Sequence, residues 1–454
     1  MKIVVVGLGY VGVPLAALLA DVEGFQVTCL QRPSERSGWK IDSINRGLSP
    51  IGGTEPELGE LVDRVVKAGR LRATSSPEVV RCADCVIAAV QTPVDEKHVP
   101  VLTHLEQAVR DIGENMSEGA LISVESTVPP GTTSKVVQPM LEESSGFKVG
   151  AGFSLVYSYE RVTPGRLLHN IRHLPRVVGG VTDECVRRGI QLYSNVCEAP
   201  ISGTDVLTAE TAKLVENAYR DVNIAFANEA AKVCQSLGVD FYEVRSLVNS
   251  LPYEPDSPSN PYRDLHLPGA GVGGHCLPKD PWLLIHGVQR WGSFKVEPWV
   301  MPVSRIINDS APNHMRWMVL DALAERGLQG GALKVAVLGL AYKEDTDDPR
   351  NSPGREIVRL LAGDGFNVVA HDPYVRDCPG LTFTPDLDEA VRDSDCLVVA
   401  TSHSVYREHG LDHYLGLMRS PVIVDGRDMF SPDECHAKGA TYRGVGRPFK
   451  PYIL

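Results

Sequence analysis

Short, unbroken apolar runs recur along this chain, and each is followed by a glycine or by apolar positions at helical spacing. Ile3-Val4-Val5-Val6 runs into Gly7, and Val335-Ala336-Val337-Leu338 runs into Gly339. A strand that is apolar on both sides of its pleat is buried on both faces, the signature of a parallel sheet covered by helices. The two series repeat further landmarks. A second strand follows Gly24-Phe25 in one and Gly365-Phe366 in the other; a later strand follows Asp84-Cys85 and Asp395-Cys396. The pattern predicts two α/β domains, each a doubly wound parallel sheet in which strand, glycine turn and helix follow one another. Between them, Leu207, Leu214, Val215, Ala218, Val222, Ala225 and Phe226 recur at helical spacing, with Gly238 as the stop. One long helix, or two in series, is expected over 205–237, of the kind that bridges domains or forms a dimer core. Residues 251–268, rich in Pro, Ser and Asn, read as a loop, and Gln329-Gly330-Gly331 marks the approach to the second sheet. The boundaries expected are 1–202, 203–312 (helical) and 313–454.

Composition narrows the classes. A chain of 454 residues fits about three domains of roughly 150 residues. A formal net charge of −12 argues against a nucleic-acid or anionic-membrane partner. No apolar run approaches a membrane span or a signal peptide, so a cytoplasmic protein with no membrane partner is expected. Ten cysteines without regular spacing read as thiols. Cys82 and Cys85 form a CxxC pair with no second pair beside it, and the histidines show no HxH or HExxH spacing, so no metal site is expected.

Gly7-Leu8-Gly9-Tyr10-Val11-Gly12 is a GxGxxG between a predicted strand and a predicted helix. In that setting the first glycine makes the turn, the second admits a pyrophosphate and the third lets helix and strand pack, so the N-terminal domain reads as a Rossmann-like dinucleotide site. The acid that normally ends the second strand and holds the adenosine ribose is replaced by Gln31, followed by Arg32, Ser34 and Arg36. NAD is the first expectation; NADP is the alternative, because arginines there suit a 2′-phosphate.

Residues 268–281 concentrate the chemistry: five glycine or alanine positions lead to His275 and Cys276, then Lys279 and Asp280. A glycine-rich turn gives a substrate close access to a thiol, and a nearby cation favours the thiolate nucleophile. Asp280 stands four residues after Cys276, a spacing that one helical turn would bring to a single face.

These blocks, with Ser126-Thr127-Val128-Pro129-Pro130-Gly131-Thr132 and Lys213-Leu214-Val215-Glu216-Asn217, stand in the order of the UDP-glucose/GDP-mannose dehydrogenase family, which the chain resembles over nearly its whole length. The PGxGVGGHC run is most similar to the branch acting on UDP-N-acetylhexosamines. The resemblance implies oxidation of the sugar C6 alcohol to a uronic acid with two NAD reduced, through a thiohemiacetal and then a thioester on Cys276. N-acetylmannosamine is the first choice of sugar, with N-acetylglucosamine or glucose as alternatives. It implies Lys213 and Asn217 as oxyanion donors, Asp280 with a water held by Thr127 as base in alcohol oxidation, and Glu160 in thioester hydrolysis. Tyr159 stands where the family has proline before that glutamate, and Pro164 replaces a second glutamate of UDP-glucose enzymes. Tyr10, Val11, Thr92, Pro93, Thr127 and Arg350 fall with the cofactor by the same likeness. Arg161, Val162, Arg263, Gly273, His275, Lys343 (in a KxDTxDxRxS segment) and Arg427 (in Asp425-Gly426-Arg427) fall with the UDP-sugar. A homodimer through the central helix is implied as well.

Two other classes remain in view. A β-hydroxyacid dehydrogenase shares the glycine turn and the Lys/Asn pair, but needs neither a nucleophilic cysteine nor a second α/β domain. A cofactor-binding scaffold without catalysis needs none of Cys276, Lys213, Asn217 and Asp280.

Overall fold

The structure, a computed structural model, describes residues 1–34, 38–250, 264–329, 333–376 and 378–448. The chain divides into two compact units. One holds Met1–Asn217 with Lys279–Glu297, the other Ala218–Pro278 with Pro298–Leu454.

The first unit contains an eight-stranded sheet: β1 Lys2–Val6, β2 Gln26–Leu30, β3 Leu71–Thr74, β4 Cys85–Ala88, β5 Leu121–Val124, β6 Ser154–Tyr157, β7 Arg176–Gly180 and β8 Ile201–Asp205. Their order is β3-β2-β1-β4-β5-β6-β7-β8. Ile3 and Val5 point into one core with Leu15 and Leu19, while Val4 and Val6 point into another with Leu105, Val109 and Ile112. That alternation is why β1 reads as a continuous apolar run: both faces of the sheet are covered. The chain reverses sheet direction between β1 and β4, the place where doubly wound sheets bind ligands. One departure from an all-parallel sheet appears, since β6 and β7 pair antiparallel and β8 follows β7.

The second unit has β9 Lys334–Leu338, β10 Asn367–His371, β11 Cys396–Val399, β12 Val422–Asp425 and β13 Thr441–Gly444 in the order β10-β9-β11-β12-β13, all parallel. Val335 and Val337 enter one core, Ala336 and Leu338 the other. The doubly wound architecture of both sheets is as the apolar runs predict.

The helical stretch is one continuous helix, Val206–Leu237, of 32 residues, or about 48 Å at the usual rise. It begins among the residues of the first unit and ends among those of the second. Gly238, at φ +71°, stops it in the left-handed conformation that glycine adopts freely. Leu207, Val215, Tyr219, Phe226, Val233 and Leu237 lie exposed along it. Trp299, Val300, Val303, Ile306 and Trp317, on and just before the helix Val300–Glu325, are exposed too. Among the described residues no helix is long and apolar enough to cross a membrane.

Two expectations need correction. Cys276 and Asp280 do not share a helical face: the helix starts at Asp280 with Pro281 in its first turn, and Cys276 stands in a bend before it. Pro278 lies between them and disfavours helical backbone at the residue it follows. In the second sheet Gly339 does not lead at once into a helix. The next helix is Pro353–Gly363, and the segment between includes Asp345 and Asn351 with left-handed backbone.

Candidate active site

In the first unit each glycine of the turn has its own reason. A Cβ on Gly7, at φ +109°, would lie 2.3 Å from the Ala89 carbonyl oxygen, and one on Gly12 would lie 1.9 Å from the carbonyl oxygen of Gly7. A Cβ on Gly9 would meet no atom within 4 Å. The turn is thus tight at its ends and open in the middle, the form that lets a pyrophosphate reach backbone. Tyr10 and Val11 lead into the helix Gly12–Asp21, whose first turn has no side-chain cap and no acid to repel phosphate. These residues fit a dinucleotide.

At the end of β2, Gln31 accepts the Leu8 amide proton through its side-chain carbonyl at 3.0 Å, and Lys40 donates to the Leu8 carbonyl at 2.8 Å. Arg32 grips both carboxylate oxygens of Asp111, at 2.9 and 2.8 Å from one nitrogen. Gln31 therefore stands where NAD enzymes of this fold usually place an acid, with Lys40 at the same turn and Arg32 next in the chain. At the switch point Thr92, buried ahead of Pro93, donates to the Thr127 carbonyl at 2.5 Å. Thr127 itself is half-buried while its neighbours on both sides are buried.

The long helix supplies Lys213 and Asn217 from one face. Lys213 is buried; its ammonium donates to the Glu160 carbonyl at 2.7 Å and lies 3.8 Å from the Glu160 carboxylate. Asn217 donates to Asp280 at 2.5 Å, and Lys279 donates to the other Asp280 oxygen at 2.6 Å. Asp280 is fully buried, so these two donors offset the loss of water around its charge. Glu160 accepts the Val162 amide proton. Arg161 pairs with Glu216 of the long helix at 2.7 Å and meets the Tyr159 hydroxyl at 3.1 Å. Lys213 with Glu160 and Asn217 with Asp280 thus form two contact pairs within one unit, set one helical turn apart by the long helix.

Groups that sequence reasoning did not single out hold this arrangement. Buried Arg176 on β7 pairs with Glu125 after β5 and donates to Ser158 after β6 at 2.9 Å. It ties together the strand ends from which the Thr127 and Glu160 segments leave. Burial pushes the Glu125 carboxyl up, with Arg176 pulling the other way. Glu210 is buried on the long helix, three residues before Lys213, and accepts the amide protons of Gly131 and Thr133 at 2.6 and 2.7 Å. Spacing to Lys213 is the one signal that could have drawn attention to it.

The second unit builds the cysteine segment. A Cβ on Gly273 would lie 2.6 Å from the Tyr342 side chain, and one on Gly274, at φ +87°, would lie 2.8 Å from the Tyr342 ring. Gly274 donates its amide to the Arg350 carbonyl at 2.9 Å and accepts from the Asn351 side chain at 2.9 Å. Gly269 donates to Asn228 at 3.0 Å; Asn228 donates to Asn308, which donates to Asp221, the buried ion-pair partner of Arg305. Arg427 donates to the Ala400 carbonyl at 2.9 Å and lies 3.5 Å from the Gly271 carbonyl. The glycines are there because their neighbours leave no room for side chains. Cys276 and His275 are half-buried; of the other cysteines only Cys82 is exposed, and eight are buried. Burial pushes the Cys29 and Cys435 thiols up to about 12, so they are poor nucleophiles. Lys343 is half-buried beside this segment's scaffold, and the Arg350 guanidinium pairs with Asp348 at 2.6 Å. Arg263 lies outside the described residues.

The second glycine turn differs from the first. The Leu340 and Ala341 amides both donate to Asp372, at 2.7 and 2.8 Å, and buried His403 meets the same carboxylate at 3.1 Å. The amides that would receive a phosphate there are already held by a carboxylate, so this turn is not a second copy of the dinucleotide cradle. Among the described residues, no group of three His, Cys, Asp or Glu side chains is placed to hold a metal ion.

Residues 1–197 match the NAD binding domain of the UDP-glucose/GDP-mannose dehydrogenase family, 207–309 its central domain and 336–432 its UDP binding domain. A UDP-N-acetyl-D-mannosamine dehydrogenase of Pyrococcus horikoshii is 36% identical, covering 98% of this chain and 99% of that one. The solved structure of the UDP-D-ManNAc dehydrogenase from that organism superposes with a TM-score of 0.88 over the same shares. The UDP-N-acetyl-D-mannosamine dehydrogenase of Escherichia coli K12 is 35% identical over 94% of this chain and 98% of its own. The structure of an NDP-N-acetyl-D-galactosaminuronic acid dehydrogenase from Methanosarcina mazei is 39% identical, with a TM-score of 0.83 over 98% and 95%.

Proposed function

Because the chain belongs to the UDP-glucose/GDP-mannose dehydrogenase family, whose members are nicotinamide-dependent oxidoreductases, we propose that it oxidises the C6 alcohol of a UDP-N-acetylhexosamine, N-acetylmannosamine first, to the uronic acid. The observation that carries this reading is the pair of contacts Lys213–Glu160 and Asn217–Asp280, one helical turn apart, in a chain that also presents a half-buried cysteine in a glycine run. A β-hydroxyacid dehydrogenase has no use for that cysteine.

When bound at the glycine turn, NAD takes up a hydride; two are consumed per sugar. Asp280, through a water at Thr127, takes the proton of the C6 hydroxyl as the first hydride leaves C6, giving the aldehyde. The Cys276 thiolate then adds to the aldehyde carbon, and the oxygen takes a proton, giving a thiohemiacetal. Loss of that proton and of the second hydride gives a thioester. Water attacks the thioester carbon, the C–S bond breaks, and carboxylate and thiol are left. The Lys213 ammonium and the Asn217 amide favour the negative charge that gathers on the C6 oxygen. Glu160 orients the hydrolytic water. In this reading Lys343, Arg427, Arg161, Val162, Gly273, His275 and Arg263 serve the UDP-sugar, and Arg350 stands at the cofactor. The exposed apolar face of the long helix is the dimer surface, and the protein works in the cytoplasm.

Two observations favour finer alternatives. The 39% identity to an NDP-N-acetyl-D-galactosaminuronic acid dehydrogenase supports a galacto-configured sugar. Gln31 in place of an acid, with Arg32 and Lys40 beside it, supports NADP. Purified protein offered a panel of UDP-sugars, with NAD and NADP separately, tests all of this. Reduction with a UDP-N-acetylhexosamine is expected. Reduction with none of the sugars contradicts the enzyme reading, and turnover confined to UDP-glucose contradicts the sugar.

A further inference from the structure

We propose that Glu210 is a positioning residue for the alcohol-oxidation step, a role that rests on the reading above. Its carboxylate, fully buried on the long helix, accepts the amide protons of Gly131 and Thr133 at 2.6 and 2.7 Å. An amide left without its acceptor in a buried site is costly. These two bonds fasten the segment that begins with Ser126 and Thr127 to the helix that carries Lys213 and Asn217.

The link reaches Thr127 because the intervening chain is stiff. Pro129 and Pro130 stand between Thr127 and Gly131, and proline fixes its own φ. Gly131 takes φ +92°, and its absent Cβ would lie 3.0 Å from the Trp291 ring. Gly287 is equally tight, since a Cβ there would be 2.4 Å from Pro130. Trp291 and Gly287 belong to the helix Asp280–Trp291, which opens with Asp280. Three pieces are thus locked in a ring. Glu210 joins the Thr127 segment to the long helix, Asn217 joins the long helix to Asp280, and Gly287 with Trp291 joins the Asp280 helix back to the segment. Beyond Gly131 the chain forms a π-helical turn, Thr133–Val137, an irregularity frequent at functional sites. Glu210 touches neither sugar nor cofactor in this scheme; it acts through Thr127.

The test separates the two oxidations. Glu210→Gln keeps the shape, accepts one amide proton and opposes the other. Glu210→Asp keeps the carboxyl group but withdraws it from the amides. Each is expected to lower kcat for the UDP-sugar alcohol about ten-fold or more, about the worth of one such hydrogen bond, while kcat for the pre-formed C6 aldehyde and the sugar KM stay within about two-fold. Glu210→Gln combined with Thr127→Ala should be no slower than the worse single variant, because both act on one element. Hydrogen exchange at the Gly131 and Thr133 amides should quicken in Glu210→Gln, while the amides of β5 are unchanged. Equal losses on alcohol and aldehyde, or no loss on either, overturn the positioning role, as do unchanged Gly131 and Thr133 exchange rates. A wild-type protein that turns over no nucleotide sugar overturns the dehydrogenase reading instead.

Discussion

Asn217 donates its side-chain amide to Asp280 at 2.5 Å, so the residue one helical turn after Lys213, the proposed oxyanion donor, also holds Asp280, the proposed base. Lys279 holds the other oxygen at 2.6 Å. Asp280→Asn removes the proposed base and should lower kcat about 10²–10⁴-fold. Asn217→Asp sets a second carboxylate against the first; one of the two must then keep a proton, and the pH at which activity appears should rise. The pH dependence of kcat checks both. An Asn217→Asp profile that overlays the wild type contradicts the assigned contact.

The glycine turn makes a paired prediction. Gly9→Ala adds a methyl group where the protein itself has no neighbour, so the fold should melt as wild type does while NAD affinity drops at least about ten-fold. Gly12→Ala places that methyl group 1.9 Å from a backbone oxygen and should lower Tm or prevent folding. Thermal melts and cofactor titrations read the two effects separately. Equal effects on both quantities would show that the turn is not shaped around a ligand.

Glu210 gives a pH dependence with a definite sign. Burial raises its carboxyl from 4.5 to about 7, against the pull of the Thr133 and Gly131 hydrogen bonds; Asp205 on the preceding strand adds to the rise, and the buried Tyr157 phenol faces it. The folded chain keeps this proton where the unfolded chain has released it. Glu210 therefore favours the fold most below the unfolded value, and that contribution is lost as pH rises through about 7. Relative to Glu210→Gln, the wild-type Tm should fall between about pH 5 and about pH 8. A constant difference in Tm across that range contradicts the assignment.

Much of this was legible in the chain, for reasons that particular residues make plain. Ile3 through Val6 announce a strand because both faces of β1 are buried, and Gly7, Gly9 and Gly12 announce the turn because each meets a local steric demand. What escaped depends on residues far apart in sequence. Glu210 and its amide partners are 79 and 77 positions apart, and Arg176 reaches Glu125 across 51. The antiparallel pairing of β6 and β7 leaves no mark on periodicity, because both strands are buried either way. The shared helical face expected for Cys276 and Asp280 gave spacing more weight than Pro278 and Pro281, which place the helix start at Asp280.

The exposed face of the long helix makes a prediction about assembly. Tyr219, Phe226 and Val233 recur at spacings of seven, the repeat of a helix seam, and each is more than half exposed. Phe226→Asp should convert a dimer to a monomer by light scattering, since a charge cannot be buried there unpaired. A wild-type monomer, or a Phe226→Asp dimer of unchanged affinity, contradicts the proposed surface.

The central claim is a four-electron oxidation that passes through Cys276, and the number of cofactor molecules reduced per sugar tests it most directly. Wild-type protein with limiting UDP-N-acetylhexosamine should reduce two equivalents of cofactor and leave the uronate. Cys276→Ser, which cannot form the thioester, should lose that turnover by about 10³-fold or more while still binding cofactor. One equivalent per sugar in the wild type, or two equivalents at an undiminished rate in Cys276→Ser, would contradict the account.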